Sequence, residues 1–205
     1  MYKFKKIGIT QNVLINKKRN EVSENLDTRW FDLLSTQNLQ IITLSYKQKN
    51  PEKFFKNLNI KGFILTGGND ISIGKKSITN FKKRDIFEKK IIKYCIKNNL
   101  PILGIWRGMQ LLNLFFGGKI ERILGHSGTN HKVYFYKKTM LVNSYHKYGI
   151  NKNNLGKDLK PIFLDKNNFV EFFEHKLFKF TGIMWHIERY KKFKKNDLML
   201  LKKIF

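Results

Sequence analysis

The chain has 205 residues, of which 41% are hydrophobic and 14% aromatic, a composition typical of a folded domain rather than a disordered tail. No apolar run approaches the roughly 18 residues of a membrane-spanning helix, and the N-terminus lacks the apolar core of a secretory signal. A single cysteine, Cys95, excludes an internal disulfide and favours a reducing, cytoplasmic location. We expect one domain over residues 1–205.

The net charge of +26 comes from 41 Lys and Arg against 15 Asp and Glu. Such a charge is typical of proteins that bind nucleic acid, anionic lipid or acidic substrates. The alternative is drift toward AT-rich codons, because the chain has no alanine and is rich in Lys, Asn, Ile and Phe. The lysines are scattered rather than gathered into one stripe, which favours drift. We therefore predict neither a nucleic-acid partner nor a membrane partner.

Apolar runs and helical periodicities alternate in the first half of the chain. The runs predict strands at Phe4–Thr10, Gln40–Ser45, Gly62–Leu65 and Ile102–Ile105. Apolar residues at helical spacing predict helices at Asn25–Leu34, Lys82–Asn99 and Arg107–Phe116. Because strands that alternate with helices form βα units, this order predicts an α/β fold with a parallel sheet.

The second half of the chain holds shorter β-like runs. These lie at Val133–Tyr136, Pro161–Leu164, Phe169–Phe173 and Thr181–Trp185. The tail, Lys195–Phe205, predicts a closing helix. Cys95 falls on the apolar stripe of the predicted helix Lys82–Asn99, so we interpret it as a core residue and not as a nucleophile.

The segment 101–110, PILGIWRGMQ, predicts a strand, a sharp turn and the start of a helix. This order is typical of a nucleophile elbow, in which the turn residue is exposed at the carboxyl edge of a sheet. The helix N-terminus at such a turn favours a thiolate or an anion. The turn residue here is Trp106, which has no nucleophilic atom. The motif alone therefore allows an ordinary structural turn as well as a site.

Two further motifs follow predicted strands. Gly67 and Gly68, in TGGND at 66–70, allow a backbone N–H to approach a ligand oxygen, although an ordinary tight loop has the same composition. His186 and Glu188 lie two residues apart at a strand end, so both side chains point the same way along an extended chain. Glu188 can then orient His186 as a general base. The alternative is a surface pair.

Polar residues in the middle of the chain are candidates for a pocket lining or a metal site. A polar cluster follows an apolar pair and consists of Asn143, Ser144, Tyr145 and His146. His126 and His131 are the candidate metal ligands. Their spacing matches no standard ligand pattern, and no cysteine or acid lies nearby in the sequence. We therefore predict no metal and no cofactor.

Taken in this order, the segments resemble the class I glutamine amidotransferase-like proteins, and within them the γ-glutamyl-γ-aminobutyrate hydrolase (peptidase C26) family. The matching stretches are GFILTGGNDI (62–71), KRDIFEKKII (83–92), PILGIWRGMQLLNLFFGGKI (101–120), VNSYH (142–146) and MWHIER (184–189). LDTRW (26–30), GHSGTNH (125–131) and WHIERYKKF (185–193) are similar to a narrower branch, the γ-glutamyl-CDP-amidate hydrolases of capsular polysaccharide biosynthesis.

The resemblance implies a flavodoxin-like α/β domain with a central, mostly parallel sheet flanked by helices. It also implies a Cys-His-Glu triad that hydrolyses a γ-glutamyl amide through a glutamyl thioester. His186 is then the general base and acid, Glu188 orients it, and backbone N–H groups of Gly68 and Arg107 bind the oxyanion. The other residues implied in substrate binding are Gly67, Gln110, Asn143, Ser144, Tyr145 and His146.

One departure from the family pattern decides how the activity is interpreted: the family's cysteine falls on Trp106. Three explanations stay open. The chain is a pseudoenzyme with a binding or regulatory role, or it carries a recent or erroneous one-base change, or His186 activates water directly. The implied ligand is a small anionic γ-glutamyl compound. The implied protein partner is a second copy of the chain or a separate enzyme that accepts ammonia.

Overall fold

The computed structural model describes residues 4–72, 78–123 and 126–205. Gly125, the first residue of the GHSGTNH segment, lies outside the described residues. The strands are β1 Lys5–Thr10, β2 Asn12–Asn16, β3 Glu21–Asn25, β4 Leu39–Leu44, β5 Gly62–Leu65, β6 Ile102–Ile105, β7 Glu121–Arg122, β8 Ser127–Phe135, β9 Lys138–Tyr145, β10 Tyr148–Gly149, β11 Leu159–Leu164, β12 Val170–His175 and β13 Phe180–Ile183. The helices are α1 Arg29–Ser35, α2 Pro51–Asn57, α3 Thr79–Asn98, α4 Arg107–Phe115 and α5 Lys195–Ile204.

A nine-stranded mixed sheet, in the order β4-β1-β5-β6-β13-β12-β11-β8-β9, forms the centre of the fold. The half from β4 to β13 is parallel, and β12, β11, β8 and β9 continue it as an antiparallel half. Two short antiparallel pairs, β2 with β3 and β10 with β7, lie outside this sheet. The α/β class predicted from the alternating pattern is confirmed. The parallel half of the sheet is the half that is built from βα units.

Helices cover both faces of the sheet. Apolar side chains of α2, α3 and α4 pack with Phe63 and Leu65 of β5, whereas those of α1 and α5 pack with Ile64 of the same strand. Successive residues of a strand point to opposite faces, so this alternation divides the core into two layers. No helix of the described residues combines the length and the apolar character that crossing a bilayer requires.

The predicted strands overlap observed ones in both halves of the sheet, since Val133–Tyr136, Pro161–Leu164 and Phe169–Phe173 overlap β8, β11 and β12. The predicted strands Gly62–Leu65 and Ile102–Ile105 match β5 and β6 at both ends. The predicted helix Asn25–Leu34 is partly wrong, since Asn25 ends a strand and the helix begins at Arg29. The β2–β3 hairpin, α2 and β9 were not predicted. The tail helix is confirmed as α5.

Candidate active site

The ends of neighbouring parallel strands supply the candidate site. Leu65 of β5 pairs in register with Gly104 of β6, and Ile105 of β6 pairs with Ile183 of β13. Parallel strands place their carboxyl ends at one edge of a sheet, where α/β proteins bind ligands. The structure therefore brings together the glycine loop, the elbow turn and the His–Glu motif, which are far apart in the sequence.

Trp106 forms the turn between β6 and α4 with φ 47° and ψ −98°. Its N–H donates to the carbonyl of Ile183 at 2.8 Å, and α4 begins at the next residue, Arg107. A bulky residue at positive φ is strained, and such strain is concentrated at functional sites. The backbone thus has the conformation of a nucleophile elbow, although its side chain carries no nucleophile.

His186 and Glu188 form a buried pair beside this turn. Nδ1 of His186 lies 2.6 Å from Oε1 of Glu188, and the two residues are 2% and 3% exposed. They meet because the chain makes a 3-10 turn at Ile187–Arg189, and not because the strand stays extended as predicted. Among the described residues, Nε2 of His186 has no hydrogen-bond partner. This nitrogen is therefore available to hold or move a proton.

The indole of Trp106 lies between the glycine loop and His186. Its ring centroid is 5.7 Å from that of His186. A Cβ on Gly67 would come within 2.6 Å of Trp106 Cε3 and 3.1 Å of His186 Cε1, so the three residues meet at one point. A side chain that fills this point leaves little room for a carbonyl group between the loop and the imidazole.

A cleft of about 250 Å³ opens beside these residues. Its lining includes parts of the predicted site together with residues that were not predicted. The lining residues are Asn12, Asn25, Leu26, Asp27, Trp30, Thr66, Gly67, Gly68, His186, Glu188 and Arg189. The β2–β3 hairpin thus supplies part of one wall of the cleft. The sequence signal available for this wall was the segment LDTRW (26–30), which resembles the narrower branch of the family.

Gly68 is fixed against this hairpin. It has φ 112°, and a Cβ there would lie 2.3 Å from Oδ1 of Asn12, so only glycine fits. The N–H of Asn69 donates to the same Asn12 oxygen at 3.0 Å, and Asn69 Oδ1 accepts from the N–H of Val13 at 2.8 Å. The loop that was predicted to bind an oxyanion is therefore held by the hairpin next to it.

A buried network of two arginines and two acids lies under the glycine loop. Arg107 pairs with both Asp85 and Glu88, and Arg84 Nε lies 2.9 Å from Glu88 Oε1. Arg84 also donates to the carbonyl of Gly67 at 2.9 Å. Burial, together with Arg107, lowers the pKa of Arg84 to about 10, whereas the two arginines outweigh burial and lower the pKa of Glu88. Arg84 therefore supports the loop directly, and Arg107 is linked to Arg84 through Glu88.

Asn143 and Tyr145 of β9 both contact His186. The Asn143 side chain donates to the carbonyl of His186 at 2.9 Å and accepts from its N–H at 2.8 Å. The centroid of the Tyr145 ring lies 5.6 Å from that of the imidazole and 4.7 Å from the guanidinium of Arg189. Asn143 thus positions the His186 backbone, and Tyr145 covers its ring.

Gln110, Ser144 and His146 make their contacts elsewhere. Gln110 Nε2 donates to the carbonyl of Tyr148 at 2.8 Å, and the Ser144 hydroxyl donates to the carbonyl of His126. The Nδ1 atom of His146 faces the same Tyr148 carbonyl at 3.1 Å. These side chains were predicted to bind substrate, but their partners are backbone groups outside the residues that line the cleft.

We call His126, His131, His146 and Glu171 the histidine cluster. Oε1 of Glu171 lies within 3.9 Å of a nitrogen of each of the three histidines, and Asp165 Oδ2 lies 3.3 Å from His126 Nε2. Burial lowers the pKa of His146 to about 4. The argument from the sequence against a metal assumed that no acid lies near His126 and His131. The acids are absent from the neighbouring sequence, but the sheet brings Asp165 and Glu171 to these histidines from distant parts of the chain.

Cys95 does not supply the missing thiol. It lies on α3 in the core cluster and has no exposed surface. Burial raises the pKa of its thiol well above the ordinary value. The prediction that Cys95 is a core residue is confirmed.

Comparison with known proteins agrees with this architecture. The family described as glutamine amidotransferase class-I matches residues 28–203. The chain is 38% identical over 202 residues to the γ-glutamyl-CDP-amidate hydrolase of Campylobacter jejuni, and the match covers 97% of this chain and 96% of the relative. These two matches confirm the resemblance seen in the sequence, including its narrower branch.

Solved structures share the fold. A protein from Thermoplasma acidophilum, described as one of the subunits of a GMP synthase, superposes with a TM-score of 0.74 at 18% identity, covering 100% of this chain and 94% of the other. A glutamine amidotransferase from Thermotoga maritima gives 0.68 at 18% identity, covering 98% and 84%. With the family match over residues 28–203, these findings show that the chain belongs to the class-I glutamine amidotransferase family.

Proposed function

We propose that the cleft is a γ-glutamyl amide site of the γ-glutamyl-CDP-amidate hydrolase type, in which Trp106 stands where the family has its attacking cysteine. One observation carries the proposal. The glycine loop and the buried His186–Glu188 pair line one cleft at one sheet edge, and the strained elbow residue Trp106 lies beside Gly67 and His186. The near full-length similarity to the Campylobacter jejuni hydrolase supports the choice of substrate.

In the cysteine form of such a site, a thiolate attacks the γ-carbonyl carbon and the C–N bond breaks. His186 gives its proton to the leaving nitrogen, then takes one from the water that cleaves the glutamyl thioester and releases glutamate. Glu188 on Nδ1 stabilises the imidazolium, which is present before the first transfer, when His186 holds the thiol proton, and again after His186 takes a proton from water. The N–H groups of Gly68 and Arg107 are the proposed donors to the oxyanion.

Trp106 removes the covalent step, because an indole cannot form the acyl bond. The proposed function of the chain as it stands is therefore binding of a γ-glutamyl ligand with little or no turnover. Loss of a nucleophile lowers the rate by several orders of magnitude. Because the chain retains the His186–Glu188 pair and the Gly67–Gly68 loop, we infer that the thiol is the main part of the site that is missing.

Of the described residues that line the cleft, Arg189 is the cation and Asp27 and Glu188 are acids, so Arg189 is the proposed contact for a small anionic ligand. Arg189 lines the cleft, and the carboxylate of Asp27 is paired with Arg29 at 2.6 Å. The side-chain hydrogen bond from Arg29 lowers the pKa of Asp27, so this acid stays ionised and paired. We place the protein in the cytoplasm, and we propose that its protein partner is a second copy or a separate acceptor enzyme.

The test is glutamate release from γ-glutamyl-CDP-amidate and a panel of simpler γ-glutamyl amides. The chain as it stands is compared with Trp106→Cys, Trp106→Ala and the double variant Trp106→Cys/His186→Asn. We expect release by Trp106→Cys alone. Trp106→Ala is the matched control, because it removes the indole without adding a thiol. A folded but inert Trp106→Cys variant, or equal release by the unaltered chain, overturns the proposal.

A second readout tests ligand binding by the chain as it stands. A ligand that binds the folded state raises the melting temperature by mass action. We expect γ-glutamyl amides at millimolar concentration to raise it, and matched α-linked amides to leave it unchanged. The absence of any shift would contradict a retained ligand site. Equal shifts with both series would contradict recognition of the γ-linkage.

A further inference from the structure

The histidine cluster lies on the antiparallel half of the sheet. His131 belongs to β8, His146 follows β9, and Glu171 belongs to β12, whereas His126 precedes β8. The distances to Oε1 of Glu171 are 3.9 Å from His126 Nδ1, 3.3 Å from His131 Nε2 and 3.6 Å from His146 Nε2. Three imidazoles therefore direct one nitrogen each toward one carboxylate oxygen.

These polar groups are buried without hydrogen-bond partners. Glu171 and His146 are each 1% exposed. Among the described residues, both carboxylate oxygens of Glu171 lack a partner, as do both nitrogens of His131 and the Nδ1 atom of His126. Buried polar groups are almost always hydrogen-bonded, and a buried carboxylate needs a compensating cation or donor. The cluster therefore points to a positive charge at its centre.

The orientation of the histidine nitrogens indicates that this positive charge is a bound cation. The Nδ1 atom of His146 faces the carbonyl of Tyr148 at 3.1 Å, so Nδ1 carries the ring proton of the neutral imidazole. Its Nε2 lone pair then faces a carboxylate oxygen of Glu171, which is unfavourable without a cation between them. On His126, Nε2 faces Asp165 at 3.3 Å and leaves Nδ1 for the cluster. Carbonyl and carboxylate partners of this kind orient histidines that bind metals.

The distances also fit a metal. Ligand atoms about 2.0–2.1 Å from a tetrahedral zinc ion lie about 3.3–3.4 Å from one another. The distances from His131 and His146 to Glu171, 3.3 and 3.6 Å, are close to this edge length. His126, His131 and Glu171 offer one ligand atom each, all within 4.8 Å of one another. His146 stands outside that group of three, and its Nε2, 3.6 Å from Glu171 Oε1, is the candidate fourth ligand.

We propose that the histidine cluster binds one divalent transition-metal ion of the zinc type. Imidazole nitrogens with one carboxylate suit zinc and its first-row neighbours better than magnesium or calcium. With His146 as the fourth ligand no position is left open for a substrate, so the proposed role of the ion is structural rather than catalytic. This inference does not depend on the proposed function.

Such an ion would fix the strands that hold His186. β9 carries Asn143, which bonds both backbone groups of His186, and His146 lies directly after the same strand. The carbonyl of Glu171 accepts from the N–H of Met184, two residues before His186. The ion would therefore tie β8, β9 and β12 together and act on His186 as a positioning element.

The test uses the untagged full chain, stripped with a chelator and then titrated with Zn²⁺ or Co²⁺. We expect one ion per chain, a higher melting temperature with the metal, and a Co²⁺ spectrum of nitrogen and oxygen ligands without a thiolate band. His131→Asn removes a proposed ligand, so it should weaken binding by more than the roughly tenfold to hundredfold that loss of an outer-shell partner costs. His175→Gln is the matched control, because His175 lies outside the cluster, and it should bind as the unaltered chain does.

The Co²⁺ spectrum is recorded on the unaltered chain, so the proposal stays testable even if a variant fails to fold. No bound metal and no thermal shift with excess Zn²⁺ or Co²⁺ would overturn it. Undiminished binding by a folded His131→Asn chain would overturn it as well. In either case protonated histidines would be the groups that neutralise Glu171.

Discussion

The ring of Trp106 lies against the ring of His186, with centroids 5.7 Å apart and planes tilted by 46°. The residue that we propose at the nucleophile position and the residue that we propose as the general base are thus neighbours, with an indole in place of a thiol. His186 keeps its bond to Glu188 at 2.6 Å despite this neighbour. The proposed function therefore leaves proton transfer to the His186–Glu188 pair and puts an indole where the covalent step needs a thiol.

The contact between Trp106 and Gly67 predicts an energetic coupling. A methyl group on Gly67 would lie 2.6 Å from the indole, so Gly67→Ala should lower the free energy of unfolding by about 1–3 kcal/mol. In the Trp106→Cys background the nearest remaining atom is His186 Cε1 at 3.1 Å, and the loss should be smaller. Urea unfolding of the unaltered chain, Gly67→Ala, Trp106→Cys and the double variant forms a double-mutant cycle that measures the coupling. Equal losses in both backgrounds would contradict the packing described.

Asn143 should control both the stability of the chain and the activity of the Trp106→Cys variant. Asn143→Ala leaves the buried N–H and C=O of His186 without their partner, and each such loss costs about 1–3 kcal/mol. We expect a lower melting temperature and, in the Trp106→Cys background, slower glutamate release. Asn130→Ala is the control, because Asn130 pairs with Asn143 in the β8–β9 register but is exposed. An equal effect of both substitutions would argue against a positioning role.

Asp197 should make stability depend on pH. Burial raises its pKa to about 6, although Trp185 Nε1 donates to it at 3.1 Å and Lys194 also opposes the shift. The folded state therefore holds this proton more tightly than the unfolded chain. The stability that this group contributes is fully present below about pH 4 and is lost as the pH rises through about 6.

Asp197→Asn keeps an acceptor for the Trp185 indole and removes the buried charge. At pH 8 the substitution should raise the free energy of unfolding by about 1–3 kcal/mol, and near pH 4 it should change little. Denaturant unfolding at both pH values measures the difference. Asp32→Asn, on the exposed face of α1, is the control that should show no such dependence. A larger gain in the free energy of unfolding at pH 4 than at pH 8 would contradict a raised pKa for Asp197.

The parallel half of the fold could be predicted from local sequence, and the hairpin beside the cleft could not. β5 and β6 are short, fully buried apolar runs. Buried strands of this kind can be predicted from their own sequence, without knowledge of the strands they pair with. The β2–β3 hairpin is largely exposed, even at the apolar Leu14 and Ile15 of β2, so its sequence carries no alternation of a buried and a solvent face. Pro51, at the first turn of α2, was an available signal for that helix.

The candidate site also has a part that the sequence predicted and a part that it did not. The elbow and the His186–Glu188 pair are short motifs, and the sequence placed them on the correct strands. The histidine cluster was missed, because Glu171 reaches His131 and His146 only through the pairing of distant antiparallel strands. Nothing in the spacing of histidines along the chain encodes that pairing.

The most direct measurement is the intact mass of the Trp106→Cys chain, acid-quenched during a single turnover of γ-glutamyl-CDP-amidate. The chain as it stands is treated in parallel. We predict a transient gain of one glutamyl group by the variant, followed by glutamate release, and no gain by the unaltered chain. Neither adduct nor glutamate from a folded, ligand-binding variant would contradict the claim that only the thiol is missing. Equal release by the unaltered chain without an adduct would contradict it as directly.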